Sequence, residues 1–159
     1  MDFPDPPDDY EGTLLLYFEE EIMGEAYFNG MAERFETPSQ KRNLTLLAEV
    51  ERFTAEAVRP LLEKHGLVAR PDPVLHQLGR EQIDKSASLG WDGFVDYMVE
   101  RYPEYMPAFY ALEAMAPVED LKELKILTQH EVVVIDFARK EQAGDPDSSK
   151  PLLDYLGRV

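Results

Sequence analysis

The sequence contains no cysteine. Disulfides and thiolate metal sites are therefore excluded, and nothing argues for an oxidising compartment. Basic residues are scarce: 16 Lys and Arg face 32 Asp and Glu, giving a formal net charge of -16. A surface of that sign repels phosphate backbones and anionic lipid, so neither nucleic acid nor a membrane is an expected partner. No apolar run reaches about 18 residues, the length that suggests a membrane span. The opening MDFPDPPDDYEG lacks the basic head and apolar run of a signal peptide. It predicts a disordered, acidic, proline-rich tail over residues 1–10, and a cytoplasmic protein.

Strand signals are nearly missing too. The one β-branched run, VVVI at 132–135, lies inside a longer pattern of helical spacing. A chain of 159 residues suffices for one domain burying roughly 70% of its unfolded surface, and residues 11–159 are expected to form it. The spacing predicts a first helix over about 11–36, halted at Thr37-Pro38, and a second over about 38–65, kinked by Pro60 and closed by Gly66. A connection of some 25 residues follows, with one short helix near 74–86. A third helical region runs from Trp91 to Ala116, bent at Pro103 and Pro107, and a fourth from Pro117 to Gly144. A short tail helix in SSKPLLDYLG begins at Ser148 or Ser149. Four long helices with one long connection in the middle describe an all-α crossover bundle with a central seam.

Projecting each helix at about 100° per residue places acids on that seam. In the first helix Glu21 and Glu25 share a stripe with Leu14, Phe18, Phe28, Ala32 and Phe35, whereas Glu19 and Glu20 point elsewhere. In the second, Glu51 lies in the arc of Leu47, Val50, Thr54, Val58 and Leu61, with Glu49 and Arg52 opposite. In the third, Glu113 continues the stripe of Trp91, Phe94, Met98, Tyr102, Tyr105 and Phe109; in the fourth, His130 and Glu131 straddle the stripe of Leu124, Leu127, Val134 and Ala138. The aromatics near the seam read as core. A single glutamate beside an apolar stripe usually snorkels to the edge or pairs with arginine. An acid from every long helix at once is harder to dismiss, because buried carboxylates cost several kcal/mol and repel one another. Divalent cations would cancel that charge, and carboxylates with one or two imidazoles suit iron or manganese better than structural zinc.

On these residues the chain resembles the ferritin-like superfamily, the carboxylate-bridged dimetal bundles that include rubrerythrins and ribonucleotide reductase small subunits. That pattern takes one glutamate from each of two helices and a Glu-x-x-His from each of the other two. EEIMGEAYFNGMA resembles the first helix, with Glu21, Gly24, Phe28 and Ala32 on one face; AEVERFTAE resembles the second through Glu51; Glu113 in YALEAMA and Glu131 in QHEVVVIDFA would serve the others. The family's histidine positions are held here by Thr54 and Val134. His130 and Glu25 could compensate, while His65 and His76 read as structural or exposed. The resemblance implies two divalent ions, iron or manganese, held by Glu21, Glu51, Glu113 and Glu131 with His130 and Glu25 assisting. It implies an oxidoreductase that activates O₂ or peroxide on a small-molecule substrate, and it allows a homodimer. Loss of both histidines points to the alternative, a metal-free helical interaction or regulatory module. A haem-oxygenase-like dimetal protein would need more than the three histidines present.

Overall fold

The structure, a computed structural model, describes Met1 and residues 4–158. Its α-helices are α1 (Tyr10–Ala32), α2 (Pro38–Lys64), α3 (Asp72–Arg80), α4 (Ile83–Ala87), α5 (Gly90–Arg101), α6 (Met106–Met115), α7 (Leu121–Gln142) and α8 (Lys150–Tyr155); no strand occurs among the described residues. The expected all-α class is what is found. Among the described residues no helix is long and apolar enough to cross a membrane.

Local chemistry sets the boundaries. Asp9 caps α1 by accepting from the Gly12 amide, and the Thr13 hydroxyl donates to the Pro7 and Asp9 carbonyls at 2.9 and 2.7 Å. Residues 2 and 3 of the expected disordered tail lie outside the described residues; residues 4–9 are exposed. The first helix stops at Ala32, short of the expected end at 36. Its last turn has no basic residue of its own, and Lys41 from α2 donates to the Ala32 carbonyl at 2.9 Å instead. Pro38 opens α2, which passes through Pro60 and ends before Gly66, whose φ of +66° closes the turn.

The connection holds two short helices, α3 and α4, rather than one. Gly79 lets α3 lie against α1, since a Cβ there would stand 2.1 Å from the Met23 carbonyl oxygen. The third region breaks fully: a 3₁₀ turn, Tyr102–Tyr105, separates α5 from α6 where Pro103 and Pro107 remove amide donors. Helix α1 packs along α2 and α3, α2 meets α7, and α7 is flanked by α5, α6 and α8. The apolar core divides into two clusters. One gathers Phe28, Leu47, Phe94, Val134 and Phe137, and the other Phe18, Val58, Leu75, Phe109 and Leu124. Between Val50 and Ala55 on α2, and between Leu127 and Val133 on α7, the boundary is filled by Glu51, Thr54, His130 and Glu131. That polar layer is the chemically unusual part of the molecule.

Candidate metal centre

Helix α1 brings Glu20 and Glu21 to the layer, α2 brings Glu51, and α7 brings His130 and Glu131; all five are buried. The imidazole is the hub. His130 Nε2 lies 3.1 Å from Glu21 Oε1, 3.5 Å from Glu51 Oε2 and 3.6 Å from Glu131 Oε2. Its other nitrogen, Nδ1, faces the Leu127 carbonyl within hydrogen-bond distance. A carbonyl oxygen only accepts, so Nδ1 must carry the proton, and in the neutral ring Nε2 presents a lone pair to three carboxyl oxygens. Lone pair against lone pair is stable only with a proton or a metal ion between them.

Burial drives His130 below its ordinary value, opposed by the charge of Glu51, so the imidazolium is not the ready solution. Burial and the mutual repulsion of the acids push the carboxyls the other way. Glu21 is held well above the usual range by burial and by Glu51, Glu131 and Glu20. Glu131 is raised well above its ordinary value by burial and Glu51, against the opposing charge of the Met1 ammonium. Glu20 is pushed up to about 9 by burial, with Glu131, Glu51 and Glu19 adding to it. Without a cation, burial favours the protonated forms of Glu20, Glu21 and Glu131.

Three further observations bear on whether a metal fits. Glu20 Oε1, Glu21 Oε2 and Glu131 Oε1 are buried with no hydrogen-bond partner, where such groups are ordinarily satisfied. Among the described residues no lysine or arginine pairs with Glu20, Glu21, Glu51 or Glu131. Gly24 makes room, since a Cβ there would come within 3.0 Å of the Glu51 carboxyl carbon. The Nδ1 contact to a backbone carbonyl is also the outer support that orients a metal-bound histidine. One ligand atom each from Glu21, Glu51 and His130 lie within 4.8 Å of one another, and this buried trio could hold a metal ion.

The remaining expected ligands lie elsewhere. Glu25, one turn beyond Glu21, is held by Arg52 at 2.6 and 2.8 Å and faces His76 Nε2 at 3.2 Å. Arg52 also grips Glu56 and Asp72 at 3.1 and 3.0 Å, and Glu25 belongs to that surface network, not to the cluster. Glu113 is half-buried and accepts from the Thr128 hydroxyl at 2.6 Å. Glu113 lies one helical turn beyond Phe109 on α6, and it is Phe109 that the third region brings to the layer. That ring packs edge-on against His130, with centroids 5.7 Å apart. Of the family's two histidine positions, Val134 is core, and Thr54 is fully buried, donating to the Val50 carbonyl at 2.7 Å and pairing with the Tyr155 hydroxyl at 2.8 Å. Helix α8 thus closes this side of the layer with a phenol.

The residue that helical projection missed is Glu20. Projection turns it away from the seam, but it is buried on the flank of α1 that faces α6, beside Tyr17, Tyr105, Ala108 and Phe109. Glu19 is buried on a different flank, where Arg70 of the connection pairs with it at 3.0 Å. Against known proteins, the chain matches no family model, no curated protein and no solved structure.

Proposed function

We propose that the protein is a ferritin-like metalloprotein, a crossover four-helix bundle in which Glu21, Glu51, Glu131 and His130 hold iron or manganese. The observation that carries this reading is the His130 imidazole, its Nδ1 committed to Leu127 and its Nε2 turned towards the oxygens of Glu21, Glu51 and Glu131. Hard oxygen donors with one imidazole suit iron and manganese, and two divalent ions would balance the charge of Glu20, Glu21, Glu51 and Glu131. Bound there, such ions supply a redox couple and a Lewis acid for oxidation of a small molecule by O₂ or peroxide. The protein's own residues do the rest. Leu127 fixes the ring tautomer, Gly24 leaves space for Glu51, and Phe109 and Tyr155 pack on His130 and Thr54 at the two sides of the layer.

A second reading is a helical module that keeps the fold without metal. The hydrogen bond that Glu113 accepts from Thr128 and the core packing of Val134 favour it, since they leave the third region with no ligand and α7 without the usual histidine. Metal analysis of protein purified from iron- and manganese-supplemented cells decides between them. Two equivalents per chain are expected, and Glu51→Ala should lose them. One equivalent reduces the centre to a single ion, and none leaves the metal-free module.

A further inference from the structure

A cavity of about 190 Å³ opens between α1 and α6, walled by Tyr17, Glu20, Tyr105, Ala108 and Phe109 and covered by residues 4–6. Two of its walls are also walls of the candidate metal centre. Phe109 packs its edge on His130, and Glu20 feels the charges of Glu131 and Glu51. Tyr17 and Phe109, with ring centroids 5.2 Å apart, give the cavity an aromatic lining. Glu20 gives it a buried carboxyl group, whose Oε1 has no hydrogen-bond partner. A 150 Å³ apolar cavity is enough to take up benzene. Here the space is somewhat larger and one wall carries a carboxyl group in need of a partner.

We propose that this cavity binds a small neutral phenol, its ring against Tyr17, Ala108 and Phe109 and its hydroxyl on Glu20. A phenolic hydroxyl both donates and accepts, so it satisfies the carboxyl group in either protonation state. Asp5 and Glu104 at the mouth are exposed acids and turn anionic ligands away. A purely apolar ring would fill the same space but leave Oε1 unpaired, which costs affinity. The inference extends the metal-site reading by naming the class of molecule brought beside it, but the binding itself needs no metal.

Ligand-observed NMR titration with phenol and with benzene, on metal-stripped and metal-loaded protein, tests this. Saturable phenol binding is expected in both forms, about tenfold tighter than benzene, the worth of one net hydrogen bond. Ala108→Phe fills the cavity and should abolish binding of both, and the smaller Ala108→Leu should weaken it, with metal content and helical circular dichroism unchanged in each. Glu20→Leu should keep benzene binding and erase the preference for phenol. The proposal is overturned by absence of saturable phenol binding in both forms, by unchanged affinity in a folded Ala108 variant, or by a preference that survives Glu20→Leu. Phenol binding without any metal uptake would sink the metal-site reading and leave this one standing.

Discussion

A backbone carbonyl decides the chemistry of His130. Because the Leu127 oxygen takes the Nδ1 proton, the ring can serve the cluster only as a base or as a metal ligand. Gly24 has a comparable role towards Glu51, and it yields a prediction in which site and stability part company. Alanine in place of glycine within a helix gains about 1 kcal/mol in propensity. At position 24 the added methyl would press on Glu51, whose carboxyl atoms lie 3.0 to 3.1 Å from it, and push the group a few tenths of an ångström off. Gly24→Ala should therefore melt no lower than the parent while binding manganese at least tenfold more weakly, read by thermal denaturation and metal titration. Equal affinity in both proteins would mean that the Glu51 carboxyl group is not positioned by this contact. Glu21, Glu51, His130 and Glu131 were legible in the sequence because a period of 3.6 residues carries each to a face that other helices cover. Glu25 obeys the same period, yet Arg52, which projection sends to the far side of α2, has a side chain long enough to reach it. Spacing fixes where a Cβ points, not how far a guanidinium travels.

At the scale of elements, α1 has no clean wet face. It is covered by α2 on one side and by α3 from the connection on another, with α4 and α6 in contact towards its ends. A proline-bearing connection gives no sign in the sequence of which flank it will cover, so projection alone does not show that Arg70 buries Glu19 or that α6 buries Glu20. The long helices themselves were readable from Pro38, Gly66 and Gly144, since proline at the first helical position and glycine at positive φ act locally. A bend is expected at Pro103 and Pro107, and the structure breaks fully there through a 3₁₀ turn, while Glu113, one turn beyond Phe109 on α6, bonds Thr128 and stays out of the cluster. The docking of α3 turns on Gly79, where any Cβ would meet the backbone of Met23 at 2.1 Å. Backbone cannot yield as a side-chain tip does, so Gly79→Ala should cost about 1–3 kcal/mol, despite the better helix propensity of alanine. Urea denaturation checks this, and a variant as stable as the parent would mean that α3 docks more loosely than this contact requires.

Over the whole molecule, the buried layer makes stability depend on pH in a direction opposite to that of most acidic proteins. Glu20, Glu21 and Glu131 have folded-state values above their unfolded ones. Their contribution is fully present below the unfolded carboxylate range, near 4.5, and is lost as pH rises towards the folded values, which for Glu20 is about 9. Asp120 works in the other sense. Burial alone would raise it, but hydrogen bonds from Lys64, Tyr10 and His65 prevail and hold it at about 2. Its contribution is present above the unfolded value of 3.8 and disappears as pH falls through about 2. Metal-free protein should accordingly be most stable near pH 4 to 5 and lose several degrees of melting temperature between pH 5 and 8, since about 1 kcal/mol corresponds to 2–4 °C at this size. Metal competes with the protons of the same carboxyls, so excess manganese should raise the melting temperature at pH 7.5, where each hundredfold excess over Kd adds about 2.7 kcal/mol, and should have little effect at pH 5. Differential scanning calorimetry at the two pH values, with and without manganese, reads both slopes. A metal-free protein whose melting temperature is level from pH 5 to 8, with no manganese shift at pH 7.5, would mean that Glu20, Glu21 and Glu131 are neither protonated nor metal-bound in the fold.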